Sequence, residues 1–386
     1  MNSALYMCIK EGEISRLKQI ISQEILSRER SCGGNTTLHV AVQYKRIDFV
    51  QEMCNICPSL LLEQNLKGDT ALHIAARTGK QDIVKFLIEW SRSDVSDLEI
   101  GGERADKKLV RMANERMDTA LHEAVRNHHL EVVKLLTEAD PEHEYFPNAN
   151  EETPLYLAVE DQLYDMVKQI LEICPSSAHS GPKGVTALHR AVSQNDSGMA
   201  ELLLKHNPGL IKGTNPEGET ALHDAARMDF TERVTQLLEF DRSVACISTK
   251  GGITPLHMAS RFGSLISMKE IIRLCPDSLE ALTNEGNNFL HMAIKFKQDK
   301  AIEWILETDN MIDDLVNETN KDGNTPLHLA AISDRYRCAT QLVENETTNK
   351  RIMNKDGLTA MDISYRVIYF LSLFFPRFFW SVEKWQ

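Results

Sequence analysis

The sequence has little of what a nucleic-acid binder, a membrane span or an enzyme needs. Positive charge is in deficit, with 43 Lys and Arg against 56 Asp and Glu, a net charge of −13. Nucleic acid wants a basic face, so no nucleic-acid partner is expected, and simple attraction to anionic lipid is excluded with it. The uninterrupted apolar run between Arg366 and Arg377 is ten residues long, short of the roughly 20 that cross a bilayer. Met1–Lys10 has no basic start followed by an apolar run, so no secretory signal is expected. Neither a P-loop nor a dinucleotide glycine motif is present, and neither is G-x-S-x-G or H-E-x-x-H. The chain is therefore expected not to be an enzyme, with no catalytic residue, no cofactor and no small-molecule substrate. Cysteine is also scarce, and the eight residues are scattered at apolar positions. That suits a reducing compartment in which thiols act as small hydrophobes. The one close pair, Cys54-x-x-Cys57, has no second pair to complete a zinc site. Core thiols are expected there, and no metal.

What is present is a repeat. The motif T-A-L-H-x-A, or a close variant, places its leucine at Leu5, Leu38, Leu72, Leu121, Leu155, Leu188, Leu222, Leu256, Leu290 and Leu327, and its equivalent at Met361. The gaps are 33, 34, 49, 34, 33, 34, 34, 34, 37 and 34 residues. A period near 33 with T-P-L-H-x-A is that of the ankyrin repeat, a β-turn finger followed by two antiparallel helices. The expected fold is an all-α ankyrin-repeat solenoid of about eleven repeats over residues 1–364, with an apolar aromatic tail over 365–386. Neighbouring repeats share one core, so a long chain grows as one array.

Each motif position has a structural role. Thr70, Thr119 and Thr220 suit an N-cap. Pro154, Pro255 and Pro326 sit at the first helical position, where a missing N–H costs nothing. Four residues before the leucine runs a column of glycines, Gly34, Gly68, Gly184, Gly218, Gly252, Gly286, Gly323 and Gly357, broken by Met117 and Glu151. It marks the positive-φ residue of a tight turn. Gly12, Gly79 and Gly263, or Asn195, Asp229 and Asp334, close the first helix. Eight histidines, His39, His73, His122, His189, His223, His257, His291 and His328, fill one column. One imidazole per repeat, roughly 10 Å from the next, is too far apart to share a metal ion. Hydrogen bonding between turn, helix and next repeat is expected instead.

Three places break the rhythm. The gap of 49 holds about fifteen extra residues, expected as an exposed polar loop over about 91–110, either a tolerated insertion or a partner-contacting one. Three extra residues lie near Met311. At the C-terminus, nine of the 25 aromatics fall in the last 22 residues. Three readings of that tail stay open: an unrelated end, an apolar cap on the last repeat, and an interfacial membrane anchor.

Beyond the general motif, second helices end in Cys-Pro before Ser or Asp, at Cys57-Pro58-Ser59, Cys174-Pro175-Ser176 and Cys275-Pro276-Asp277. One repeat reads Asn287-Asn288-Phe289-Leu290-His291 in place of the usual Thr-Pro form. In these features residues 1–364 resemble plant ankyrin-repeat proteins of the accelerated-cell-death and impaired-in-salt-tolerance type. The resemblance implies a cytoplasmic ankyrin domain at the inner face of the plasma membrane, a C-terminal membrane domain of several helices, and roles in defence, cell death or stress signalling. The tail after Ser364 is expected not to contain that membrane domain.

Ankyrin solenoids present a concave face of finger tips and first helices, so other proteins are the expected partners. Two residues after the motif Ala the exposed column reads Lys10, Gln43, Arg77, Arg126, Glu160, Ser193, Arg227, Arg261, Lys295 and Ile332. Six of those ten are basic on an acidic chain, which gives either a dock for an acidic partner or internal pairing. Asp69 with Arg77, Asp118 with Arg126 and Glu219 with Arg227 share an offset of eight residues. Arg261 and Lys295 have Ile253 and Asn287 at that offset, and are expected to be free. With Met228, Phe262 and Phe296 beside them, the candidate partner-binding set is Arg77, Arg126, Arg227, Met228, Arg261, Phe262, Lys295 and Phe296. Two functional readings follow: a non-catalytic protein-binding scaffold, or a membrane-anchored signalling component acting through its hydrophobic tail or a missing membrane domain.

Overall fold

The computed structural model describes residues 1–93, 104–174, 179–308, 314–333 and 335–365. The insertion residues 94–103, Pro175 and Ser176, Met311, Asp334 and tail residues 366–386 lie outside them. Helices dominate, and the described residues hold isolated antiparallel bridges but no sheet. The chain divides into two compact units, Met1–Ala191 with Gly198–Leu210, and Val192–Ser197 with Ile211–Gln386.

In each unit the repeats stack in sequence order. In the first, the helix Ala71–Arg77 packs between Thr37–Gln43 and Ala120–Arg126, and Leu130–Ala139 packs between Gln81–Ser93 and Tyr164–Ile173. In the second, Pro255–Phe262 packs between Ala221–Arg227 and Phe289–Lys295, which in turn meets Pro326–Ile332. The motif leucines are the core of this stacking: Leu72, Leu121, Leu256 and Leu290 are fully buried. The second helices add Ile83, Val84, Leu87 and Ile88, spaced on one helical face.

The fingers repeat one turn. Asn65 accepts from the amides of Lys67 and Asp69 through its side chain, at 2.8 and 3.0 Å. Gly68 closes the turn at φ 74°, where a Cβ would lie 2.6 Å from the Glu115 backbone nitrogen of the next finger. The fingers are therefore backbone against backbone. Glu115 N–H donates to Lys67 O at 3.0 Å and Asn284 N–H to Gly251 O at 3.0 Å. Met117 and Glu151 hold the same left-handed conformation, at φ 61° and 65°, which costs an L-residue about 1–2 kcal/mol.

The histidine column locks each finger to its helix. Thr70 donates its hydroxyl to His73 Nδ1 at 2.9 Å, and its backbone N–H donates to the same nitrogen at 3.1 Å. His73 Nε2–H then donates to Asp118 O of the next repeat at 3.0 Å. The same relay runs through His122 to Glu152 O at 3.1 Å and through His257 to Asn287 O at 3.1 Å; at His291, which reaches Asn324 O at 3.0 Å, Asn288 replaces the threonine and its side-chain oxygen lies 2.7 Å from Nδ1. Tyr156 breaks it, and its ring lies against Gly181, where a Cβ would come within 2.2 Å.

Over residues 105–111 the insertion is not the exposed polar loop expected, while residues 94–103 lie outside the described residues. Ala105–Arg111 is a helix with Ala105, Leu109 and Val110 buried. Its charges face inward as well: Arg111 and Lys107 pair with the fully buried Asp140, and Asp106 pairs with Arg92 at 3.2 Å. Lys107 and Arg111 reach one buried carboxylate, Asp140, just past the end of the helix Leu130–Ala139, and a polarity reading of sequence cannot see that.

Candidate functional site

The basic column sits at the C-terminal ends of the first helices, where the fingers reach back over it. In the first unit it is neutralised. Arg77 donates to both oxygens of Asp69 at 2.9 and 3.0 Å and to both oxygens of Glu123 at 2.9 and 2.7 Å. Burial alone would raise the Asp69 carboxyl, but hydrogen bonds from Arg77 and Asn114 outweigh it and hold the group below its ordinary range. Arg126 makes the same bidentate pair with Asp118, at 3.0 and 2.9 Å. There too, burial is outweighed by Arg126 and Asn148, and the carboxyl is lowered. A polar cavity of about 520 Å³ opens beside these pairs, between Lys67, Asn114, Arg116, Arg126 and Asn127. Planar two-pronged pairs of this kind order the guanidinium.

The second unit differs. Arg227 pairs with Glu219 at 2.7 Å and Asp224 at 3.3 Å. Lys295, expected to be free, is not: its ammonium donates to Glu285 at 2.8 Å. Glu285 lies ten residues back and not eight, at the tip of the finger, within reach of a lysine's long stem. Arg261 has no acidic partner among the described residues. Its guanidinium lies 4.5 Å from the Phe296 ring centroid and 5.6 Å from that of Phe262. Arg227 lies over the same Phe262 ring at 5.8 Å. Arginines and aromatic rings thus alternate along three consecutive repeats. Such contacts are worth about 0.5–1 kcal/mol each at exposed sites. They hold the guanidinium without discharging it.

Apolar surface borders this ladder. Phe262 is 48% exposed, Met228 43% and Ile332 49%, while Phe296 is half-buried. The eight sequence-predicted residues therefore separate into Arg77 and Arg126 in the first unit and the other six in the second. Sequence reading missed the Arg77–Glu123 pair and the Asn114 and Asn148 amides on Asp69 and Asp118, at 2.9 and 2.7 Å. The signal was present as one residue column facing another one repeat later.

The buried histidines are structural. Burial pushes His122, His257 and His291 down to about 4, so they are neutral near pH 7 and committed to their two hydrogen bonds. Burial pushes the Cys54 thiol up to about 12, far from a reactive thiolate. Among the described residues, no group of three or more His, Cys, Asp or Glu is placed to hold a metal ion. No described helix is long and apolar enough to cross a membrane.

Family models of ankyrin repeats match residues 53–144, 95–177 and 161–247 (described as three copies) and residues 284–343 (described as many copies). Over 73 residues the chain is 34% identical to ankyrin repeat-containing protein BDA1 of Arabidopsis thaliana, covering 18% of this chain and 17% of that protein. Over 224 residues it is 27% identical to Protein ACCELERATED CELL DEATH 6 of the same plant, covering 55% of this chain and 33% of that one. The chain thus spans a third or less of the length of these two relatives. Among solved structures, the ankyrin repeat domain of Bcl-3 matches with a TM-score of 0.51 at 22% identity, over 62% of this chain and 99% of that one, a likeness of fold.

Proposed function

Because the chain belongs to the ankyrin-repeat family, we propose that it is a non-catalytic protein–protein interaction scaffold whose partner docks on the inner column of the second unit. One observation carries this choice of face: Arg261 is held between two phenylalanine rings and left without a carboxylate, while Arg77, Arg126, Arg227 and Lys295 each have one. Arginine beside exposed aromatic surface has the composition of an interface hot spot. The resemblance to Protein ACCELERATED CELL DEATH 6 supports a role in plant defence, cell-death or stress signalling, in the cytoplasm at the inner face of the plasma membrane. The test is capture of partners from plant extract by the wild-type chain and by Arg261→Glu. The variant should lose the captured set with its urea midpoint lowered only slightly, by the loss of the two ring contacts, and an identical set from both would refute the face.

A second reading rests on the aromatic-rich sequence of residues 365–386. Phe and Trp partition into the membrane interface, so this segment would anchor the scaffold. Sedimentation with phosphatidylcholine vesicles separates the two: full chain in the pellet and a chain ending at 364 in the supernatant supports anchoring, and both in the supernatant removes it.

A further inference from the structure

Resting on that scaffold reading, we infer that the Arg261 site recognises a single carboxylate side chain, Asp or Glu, flanked by an aliphatic or aromatic residue on the partner segment. The argument starts from how the guanidinium is held. Phe262 and Phe296 approach Arg261 at 5.6 and 4.5 Å from their centroids. Contacts to ring faces immobilise a guanidinium while leaving its N–H edge open, and that edge matches a planar carboxylate. The side chain is half-buried and lies against two rings, so little freedom is lost when an anion binds.

Charge decides which anion. The flanking cations of the column are compensated: Arg227 by Glu219 and Asp224, Lys295 by Glu285. Arg261 is the one cation of the three without an ion pair, but Arg227 carries two carboxylates, so the three cations and three carboxylates sum to zero and the site tolerates a single added negative charge better than two. A phosphoryl group carries about −1.5 to −2 at neutral pH, and its excess charge would meet Glu219, Asp224 and Glu285 with no cation to offset it. Arginine clusters that read phosphate have several free cations, and this column offers one. The apolar requirement follows from the surround, since Met228 and Phe262 are about half exposed beside the guanidinium. A purely acidic segment would leave that surface wet, whereas an apolar neighbour would cover it.

The experiment selects peptides from a random library displayed on phage against the immobilised full chain, then measures the winners by fluorescence anisotropy. The inference expects Asp or Glu next to an apolar residue in the selected set. Arg261→Gln should weaken binding about ten- to a hundredfold. Arg261→Lys, which keeps the charge and loses the planar fork, should rescue it only in part. Replacing the selected acid by phosphoserine should weaken binding, and replacing it by its amide should weaken it as much as Arg261→Gln does. Selected peptides without an acid, full rescue by lysine, or a phosphoserine version that binds more tightly would each overturn the inference and leave the scaffold reading standing. Failure to select any peptide would instead count against the scaffold reading itself. The urea midpoint of Arg261→Gln should fall only slightly, by what two ring contacts at a partly exposed side chain supply, because the residue holds no ion pair in the fold. A midpoint lowered as far as that of Leu222→Ala would show that its role is structural and overturn the inference.

Discussion

Acidification should destabilise this protein through its histidine column. His257 and His291 belong to the second unit, and burial pushes both down to about 4 from an ordinary value of 6.5. Each is a base whose folded-state affinity for a proton is below its unfolded-state affinity. The unfolded chain therefore binds protons first as the pH falls, and stability drops through the window from 6.5 to about 4. Above that window the full contribution is present. At about pH 5 each group costs about 2 kcal/mol relative to about pH 7.5, so the pair costs about 4 kcal/mol, roughly a quarter to four-fifths of a typical domain's stability. The physical reason is burial: the His291 ring is fully buried, with Nδ1 2.7 Å from Asn288 Oδ1 and Nε2 3.0 Å from Asn324 O, so a second proton places a cation where no water can solvate it. The perturbation is a pH series, read as urea midpoints of wild type and His291→Gln. Glutamine loses some of the relay at neutral pH but carries no titrating group. It should be the less stable chain at about pH 7.5 and should lose about 2 kcal/mol less on going to about pH 5. Parallel curves for the two chains, or a flat wild-type curve across the window, would refute the claim that these imidazoles are held neutral by burial.

Other perturbations separate core from face. Leu222→Ala, at a residue 1% exposed, should cost about 2–5 kcal/mol, while Arg227→Ala, whose ion pairs are partly exposed, should cost about 1 kcal/mol or less. Equal urea midpoints would contradict the assignment of faces. Met117→Gly should stabilise by about 0.5–1 kcal/mol, because it relieves a left-handed residue at φ 61° at the smaller entropic cost of a glycine. A lower melting temperature would count against that turn geometry. Leu109→Ala should cost about 2–5 kcal/mol, since Leu109 is fully buried, and a chain that melts like wild type would return the insertion helix to the status of a tolerated loop.

The period made the fold legible. A leucine, a histidine and a glycine recurring at fixed offsets specify a turn and a helix wherever they occur, and the three offset-of-eight ion pairs followed from the same register. What the period could not show were contacts between columns of different repeats. Arg77 on Glu123, Asn114 on Asp69 and Lys295 on Glu285 depend on side-chain reach across a stacking interface. The insertion helix escaped notice because its burial rests on Leu109, Val110 and a buried Asp140 brought together from distant positions, with no local pattern to mark them. The Arg261 ladder was half legible: Arg-Phe adjacency placed the residues together, and the stacking made the arginine's missing carboxylate meaningful.

Site-directed photocrosslinking tests the docking face most directly. A benzoylphenylalanine placed at Phe262, irradiated in plant extract, should give discrete protein adducts that disappear when Arg261→Gln is added to the same chain. The same crosslinker at Lys85, 61% exposed on a second helix, should give none of them. Adducts shared by both positions, or adducts at Phe262 that survive Arg261→Gln, would contradict docking on this column.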